Sequence, residues 1–214
     1  MTIDNQDNSV MIPELERASN ILRNGGLVAF PTDTLYALGA NVFDENAIKK
    51  VFVAKGRPTT MALPILLADP NDLNNVAIDV SEDIRNLIEM FWPGPLTLVL
   101  KKHKSISDIL TSGNHTVAVR MPNHQLALEL IKSVGIPLAG TSANIFGGVD
   151  PTDASIVEKQ MGHNIDMILD GGACPMQGAS TILDVTSIPP NLIRQGVLSL
   201  EEISKVVELT ESGS

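Results

Sequence analysis

One cysteine, Cys174, among 214 residues rules out an internal disulfide and a cysteine-based zinc centre. The expectation is a lone buried thiol in a soluble protein of the reducing cytoplasm. Aromatic residues are scarce as well: Trp92, Tyr36 and five phenylalanines. That excludes rows of stacking rings for nucleic acid and leaves an aliphatic core. Basic residues are outnumbered, 15 Lys and Arg against 25 Asp and Glu, for a formal net charge of -10. Affinity for a polyanion comes mainly from cations that release counterions, so a generic DNA-coating protein is excluded too. Residues 1–25, 26–120 and 121–214 sum to -2, -1 and -7. The nearly neutral first half therefore leaves room for a local basic pocket that takes a small anion. No apolar run approaches the roughly 18 residues that span a bilayer. Met1–Val10 carries Asp4 and Asp7 and no basic residue, the reverse of a secretory signal.

What is present is a globular balance, with 43% hydrophobic and 19% charged residues. The length suits one domain, expected over 11–209 with frayed ends at 1–10 and 210–214. Short apolar runs alternate with amphipathic helical patterns and no repeat is visible, which means α/β or α+β. Strands are expected at Leu27–Phe30, Leu63–Leu67, Leu96–Leu100, Thr116–Arg120, around Leu138, and at Met167–Leu169, Thr181–Val185 and Leu192–Arg194. Helices are expected after Asp44, with Ala47, Ile48, Val51 and Phe52 on one face and Gly56 as the stop, and after Ser81, ended by Pro93. Further helices are read at Gln125–Val134 and Asp153–Met161. A last one follows Ser199, whose Glu202 three residues on makes a capping-box pattern.

Several of these elements end in hydroxyl-rich or glycine-rich loops that hold one cation. Pro31-Thr32-Asp33-Thr34-Leu35-Tyr36-Ala37-Leu38-Gly39 follows a buried strand, the position at which α/β proteins hold ligands, although Thr and Asp also favour such turns for backbone bonding alone. Lys55-Gly56-Arg57-Pro58 closes a helix, where the dipole welcomes cations, yet the Lys–Arg pair also suits a polyphosphate or carboxylate. Trp92-Pro93-Gly94-Pro95-Leu96-Thr97 reads as a rigid turn with a buried indole. Val117-Ala118-Val119-Arg120 delivers an arginine at a strand end. Gly140-Thr141-Ser142-Ala143-Asn144, with Gly147, Gly148 and the helix opening at Asp150-Pro151-Thr152-Asp153, offers hydroxyl, amide and free N–H groups for an anion. Gly178-Ala179-Ser180-Thr181 and Arg194-Gln195-Gly196 complete the set. The chain has no Walker A pattern, no G-x-G-x-x-G and no Gly-x-Ser-x-Gly elbow. His103, His115, His124 and His163 have no ligand spacing.

In this order, the segments PTDTLYALG, AKGRP, FWPGPLTLVL, TVAVRMP, TSAN, DGG, STILDV and RQG resemble the YrdC-domain family of L-threonylcarbamoyl-AMP synthases, in its short single-domain form, over about Ile12 to Leu209. The resemblance implies a YrdC/RibB-like α/β fold: a twisted mixed β-sheet flanked by helices around a concave, cation-lined cleft. It also implies a reaction in which L-threonine, bicarbonate and ATP give threonylcarbamoyl-AMP and pyrophosphate, toward threonylcarbamoyladenosine beside the tRNA anticodon. A threonine carbamate would attack the α-phosphorus, a step that needs positioning and charge neutralisation more than a strong base.

By the same resemblance, Lys55 and Arg57 lie on the phosphates and the developing charge. Thr116, Ser142, Asn144, Thr152 and Arg194 hold the nucleotide, and Thr34, Arg120 and Ser180 hold threonine, with Thr32 and Tyr36 shaping its wall. Mg2+ arrives with ATP and needs no protein ligands. tRNA and downstream threonylcarbamoyl-transferase proteins are the implied partners. The chain departs from longer relatives at Met61-Ala62-Leu63 and Leu66, where an Asn-Pro-Leu stretch and a histidine are common, and in carrying no linker and second domain. Asp33 stands where glutamate is frequent and Thr141 where proline is. Two alternatives stay open: a tRNA or double-stranded RNA-binding module without this activity, and a carbamoyl-adenylate-forming enzyme.

Overall fold

The computed structural model describes residues 7–208. In chain order the elements are α1 (Asp7–Arg23), β1 (Val28–Phe30), β2 (Ala37–Asn41), α2 (Glu45–Lys55), β3 (Ile65–Leu66), a 3-10 turn (Pro70–Asn75), β4 (Ala77–Ile78), α3 (Glu82–Phe91) and β5 (Leu96–Lys102). They continue with α4 (Asp108–Thr111), β6 (Thr116–Arg120), α5 (Gln125–Val134), β7 (Leu138–Ser142), α6 (Ala154–Met161), β8 (Met167–Ile168), β9 (Thr181–Asp184), β10 (Asn191–Arg194) and α7 (Leu200–Ile203). No helix among the described residues is long and apolar enough to cross a membrane.

The strands form one mixed sheet in the order β10-β9-β5-β6-β3-β7-β2-β1-β8, with β4 on the far end of β5. β5–β9, β3–β6 and β1–β8 pair in parallel and the rest antiparallel. Side chains alternate across a pleated strand, so each strand divides its residues between two faces. One face carries Leu38, Ala40, Ile65, Leu96, Leu98, Leu100, Val117, Val119, Ala139 and Leu183 and packs into the main core with α2, α3 and α6. On the other face, Val28, Phe30, Ala37, Leu66 and Leu138 lie under α1 and α5, against Ala18, Leu22, Leu126, Leu130 and Ile131.

That second cover stops halfway. Beyond β3 the same face continues through Ala118, its register partner Val99, and Ile182, which lies opposite Thr97; each of the three apolar residues is half-buried. This is a shelf of bare sheet with Thr97, Arg120 and Ser180 along one end.

Local signals behave as read. Asp44 accepts from the Asn46 and Ala47 N–H groups and Ser81 from that of Ile84, while Ser199 and Glu202 form a capping box. Gly56 ends α2 at φ 60, a left-handed cap open to glycine without strain. The sequence reading did not give the 3-10 turn, β4 or α4, and three further features differ from it. The segment before Leu27 holds a 17-residue helix, α1, whose partly or fully buried Leu15, Ala18 and Leu22 recur at helical spacing behind a polar start and an internal Pro13. Of the ends expected to fray, residues 7–10 are its first turn, while 1–6 and 210–214 lie outside the described residues. The loop expected to run to Gly39 becomes β2 at Ala37, and a Cβ on Gly39 would sit 2.7 Å from the Phe30 ring. Only a residue without a side chain lets β1 and β2 pair there.

The two-faced sheet predicts unequal costs for neighbouring truncations. Leu98→Ala should destabilise by about 2–5 kcal/mol, whereas Val99→Ala, on the shelf, should stay below about 1 kcal/mol. Urea unfolding of both variants measures the difference.

Candidate active site

Lys55 is the last residue of α2 and 3% exposed, so its ammonium must find oxygen partners inside the protein. It finds them on the segment that leaves β7: Nζ donates to the Ser142 carbonyl, to the Asn144 carbonyl at 2.6 Å and to Asn144 Oδ1 at 3.0 Å. Ser142 Oγ donates to the same Oδ1 at 2.7 Å, and Asn144 Nδ2 donates to the Gly148 and Val149 carbonyls. One lysine and one asparagine thereby fix the whole 142–149 loop. Burial, and secondarily the Arg57 guanidinium, push the Lys55 ammonium down to about 7. The three acceptors around Nζ work the other way and favour its charged form. Arg57, beyond the Gly56 cap, donates to the Met61 and Ala62 carbonyls at 3.0 Å each.

Arg120 ends β6 on the open face. Its side chain, 8% exposed, is held by Nε to the Gly94 carbonyl at 2.9 Å, by Nη1 to Thr34 Oγ1 at 2.7 Å and by Nη2 to Asp33 Oδ1 at 2.5 Å. Burial lowers its pKa, and the Asp33 carboxylate opposes that shift. Removing one partner of such a buried pair leaves the other charge uncompensated, at a cost of about 3–5 kcal/mol. Arg194 reaches the same region from the edge strand β10, where a bulge between Leu192 and Arg194 re-aims the side chain. It donates from Nε and Nη2 to the Ser180 carbonyl at 3.1 and 2.8 Å, and Nη2 lies 3.2 Å from Ser180 Oγ. Ser180 Oγ in turn lies 2.9 Å from Thr97 Oγ1. Arg120 and Arg194 are close enough for their charges to repel, and Asp150 offsets Arg194.

Backbone bonds tie the two groups together. Ala143 N–H donates to the Tyr36 carbonyl and Tyr36 N–H to the Pro151 carbonyl, both at 2.8 Å, while Cys174 N–H donates to the Thr152 carbonyl and Met176 N–H to that of Asp33. Lys55, Ser142, Asn144, Thr34, Arg120, Ser180 and Arg194 therefore share one region, bordered by Arg57 and Thr152. Thr116 is set apart: it begins β6 opposite Lys101, and the register that pairs Ile65 with Val119 brings it level with Ala62, whose carbonyl holds Arg57.

Thr32 and Tyr36 act on the loop itself. Thr32 Oγ1 donates to the Leu35 carbonyl at 2.6 Å and accepts from the Thr34 and Leu35 N–H groups. The fully buried Tyr36 spends its hydroxyl on Gly172 and Asp170, and burial pushes its pKa up. Both are struts of the wall and offer no spare donor to the cleft. Sequence reasoning left Asp33 and Thr97 without a role. The signal for Asp33 was a carboxylate between two threonines in a chain that also delivers an arginine at a buried strand end. Two hollows, of about 640 Å³ beside α1 and about 500 Å³ between α3 and Val206–Glu208, contain none of these residues.

Fold and site together define a mixed-sheet α/β protein that gathers cations and hydroxyls from separate loops onto one uncovered sheet face. The chain belongs to the Sua5_yciO_yrdC family, described as Telomere recombination, which matches residues 20–196. It is 47% identical over 190 residues to a threonylcarbamoyl-AMP synthase of Pyrococcus abyssi, covering 89% of this chain and 56% of that one. To a threonylcarbamoyl-AMP synthase of Bacillus subtilis it is 40% identical over 196 residues, covering 91% and 57%. Among solved structures, Pyrococcus abyssi Sua5 complexed with L-threonine superposes with a TM-score of 0.89 at 45% identity, covering 92% of this chain and 58% of that one. The chain thus spans little more than half the length of these relatives.

The environment of Lys55 is directly measurable. In lysine-labelled protein followed by NMR, its side chain should titrate near pH 7, well below the ordinary lysine value of about 10.4.

Proposed function

We propose that the chain is a threonylcarbamoyl-AMP synthase, which converts L-threonine, bicarbonate and ATP to threonylcarbamoyl-AMP and pyrophosphate. The observation that carries this reading is the joining of two cation clusters, Lys55–Ser142–Asn144 and Arg120–Thr34–Ser180–Arg194, through the 34–36 and 142–144 backbones. Two adjoining basic subsites suit a polyphosphate beside an amino acid. The names of the relatives, and the L-threonine held by one of them, point the same way.

In this reading the residues have distinct tasks. Arg120, the natural bidentate partner of a carboxylate, anchors threonine with Thr34 and Ser180. Lys55, whose three donors are spent on the 142–144 segment, acts on the phosphates through its charge alone, Arg57 and Arg194 add theirs, and Ser142, Asn144, Thr152 and Thr116 orient the nucleotide. The carbamate that forms on the threonine nitrogen attacks the α-phosphorus, and pyrophosphate leaves. Preorganised cations lower that barrier because the low-dielectric site strengthens them and they need no reorganisation. Among the described residues no cluster of three His, Cys, Asp or Glu side chains could hold a metal ion. A Mg2+ would enter on the ATP phosphates, through phosphate oxygens and water, and supply further charge neutralisation there. The product is a reactive mixed anhydride, and we infer a downstream transferase and tRNA as its consumers.

Pyrophosphate release should require ATP, bicarbonate and threonine together; release that continues when threonine or bicarbonate is omitted contradicts the reaction. Lys55→Ala and Arg57→Ala should each lower turnover by about 100-fold or more with the fold retained, as kinetics and circular dichroism can test. A depressed lysine loses its charge as the pH rises through its pKa. ATP affinity measured by calorimetry should therefore fall as the pH rises through about 7, and Lys55→Arg should flatten that dependence.

A further inference from the structure

Arg120 has five N–H donors, and its described partners use three of them. Two donors stay unspent in a side chain that is almost wholly buried. Its partner is unbalanced in the opposite sense. Asp33 Oδ1 accepts from Arg120 and from the Asn123 N–H at 3.0 Å, whereas Oδ2, equally buried, accepts from nothing. A second orphan stands next along the chain: Nδ1 of His124, which the Asp33 charge reaches and which caps α5 without a side-chain bond. Buried polar atoms almost always have partners, so two orphaned atoms beside two unspent donors mark a place built for a polar ligand.

We propose that Asp33 and Arg120 together read the head group of an α-amino acid, with Arg120 taking its carboxylate and Asp33 Oδ2 its ammonium. This rests on the reading of the cleft as an amino-acid site and extends it to the amino end, for which no residue has yet been given. The match is one of charge and spacing. An α-amino acid carries its acceptor oxygens and its donor nitrogen three bonds apart, and the pair presents spare donors and a spare acceptor on the two partners of one ion pair. Thr34 Oγ1, held between Arg120 Nη1 at 2.7 Å and Thr32 Oγ1 at 3.0 Å, and Ser180 Oγ remain for the rest of the ligand. Met176 N–H fastens the 171–180 segment to the Asp33 carbonyl at 3.0 Å. Because Asp33 is only 2% exposed, water screens its charge little and Oδ2 attracts a cation strongly.

The test compares calorimetric affinities of the full chain for L-threonine and for 3-hydroxybutanoate, which is threonine without its amino group, in the parent protein and in Asp33→Asn. The asparagine keeps Oδ1 as an acceptor for Arg120 and Asn123 but replaces Oδ2 by a donor that repels an ammonium. The parent protein should prefer threonine at least tenfold, and Asp33→Asn should bring the ratio to about one by weakening threonine alone. Equal binding of both ligands by the parent protein overturns the inference without any variant having to fold. So does an Asp33→Asn protein that loses both ligands by the same factor, since Asp33 then only positions Arg120. A parent protein that binds ATP but neither small ligand overturns the amino-acid site itself and this inference with it.

Discussion

A cation taken out of water must be given oxygen atoms, and this protein buries two of them, Lys55 and Arg120, at the ends of their elements. Neither can be satisfied locally. Lys55 draws its acceptors from residues nearly ninety positions away, and Arg120 draws on both the Asp33–Thr34 turn and the Gly94 carbonyl. Loops that are remote in sequence are thereby brought together as the condition for burying charge at all. The site and the fold share the same bonds, and the residues assigned to chemistry are among those that hold the loops in place.

The second constraint is the incomplete cover of the sheet. Among the described residues, α1 and α5 blanket one face only as far as β3, and Ala118, Val99 and Ile182 on β6, β5 and β9 stay half-buried outside that cover. A sheet face left bare is a liability unless something uses it. Here it is rimmed by Arg120, Arg194, Thr97 and Ser180, so an apolar floor meets a charged and hydroxyl-bearing edge. The bulge that turns Arg194 inward at the sheet's edge serves the same arrangement.

Much of this was legible in the sequence wherever local chemistry decides the outcome. Asp44, Ser81, Ser199 and Gly56 announce helix ends, and the alternation of Val117 and Val119 with Ala118 and Arg120 announces a strand with a charged end. The grouping of Lys55, Ser142, Asn144, Arg120, Ser180 and Arg194 came from the order of motifs, not from any one of them. What escaped was set by distant partners. α1 needs α5 to make sense of Ala18 and Leu22, and β2 is a strand because Val28 and Gly140 wait on either side of Gly39. Asp33 looks like any turn carboxylate until Arg120 arrives from 87 residues away. Tyr36 reads as part of the threonine wall, but the sequence does not show that its hydroxyl is spent on the Asp170 carboxylate and the Gly172 carbonyl.

The central claim is that these loops make one hollow that holds a nucleotide and an amino acid at once. A crystal structure of the chain grown with L-threonine and a non-hydrolysable ATP analogue tests it most directly. The account predicts the phosphates among Lys55, Arg57, Ser142 and Arg194, and the amino acid on Arg120 within reach of the α-phosphate. Density for either ligand in the hollow beside α1 or against α3, with the shelf empty, would contradict it.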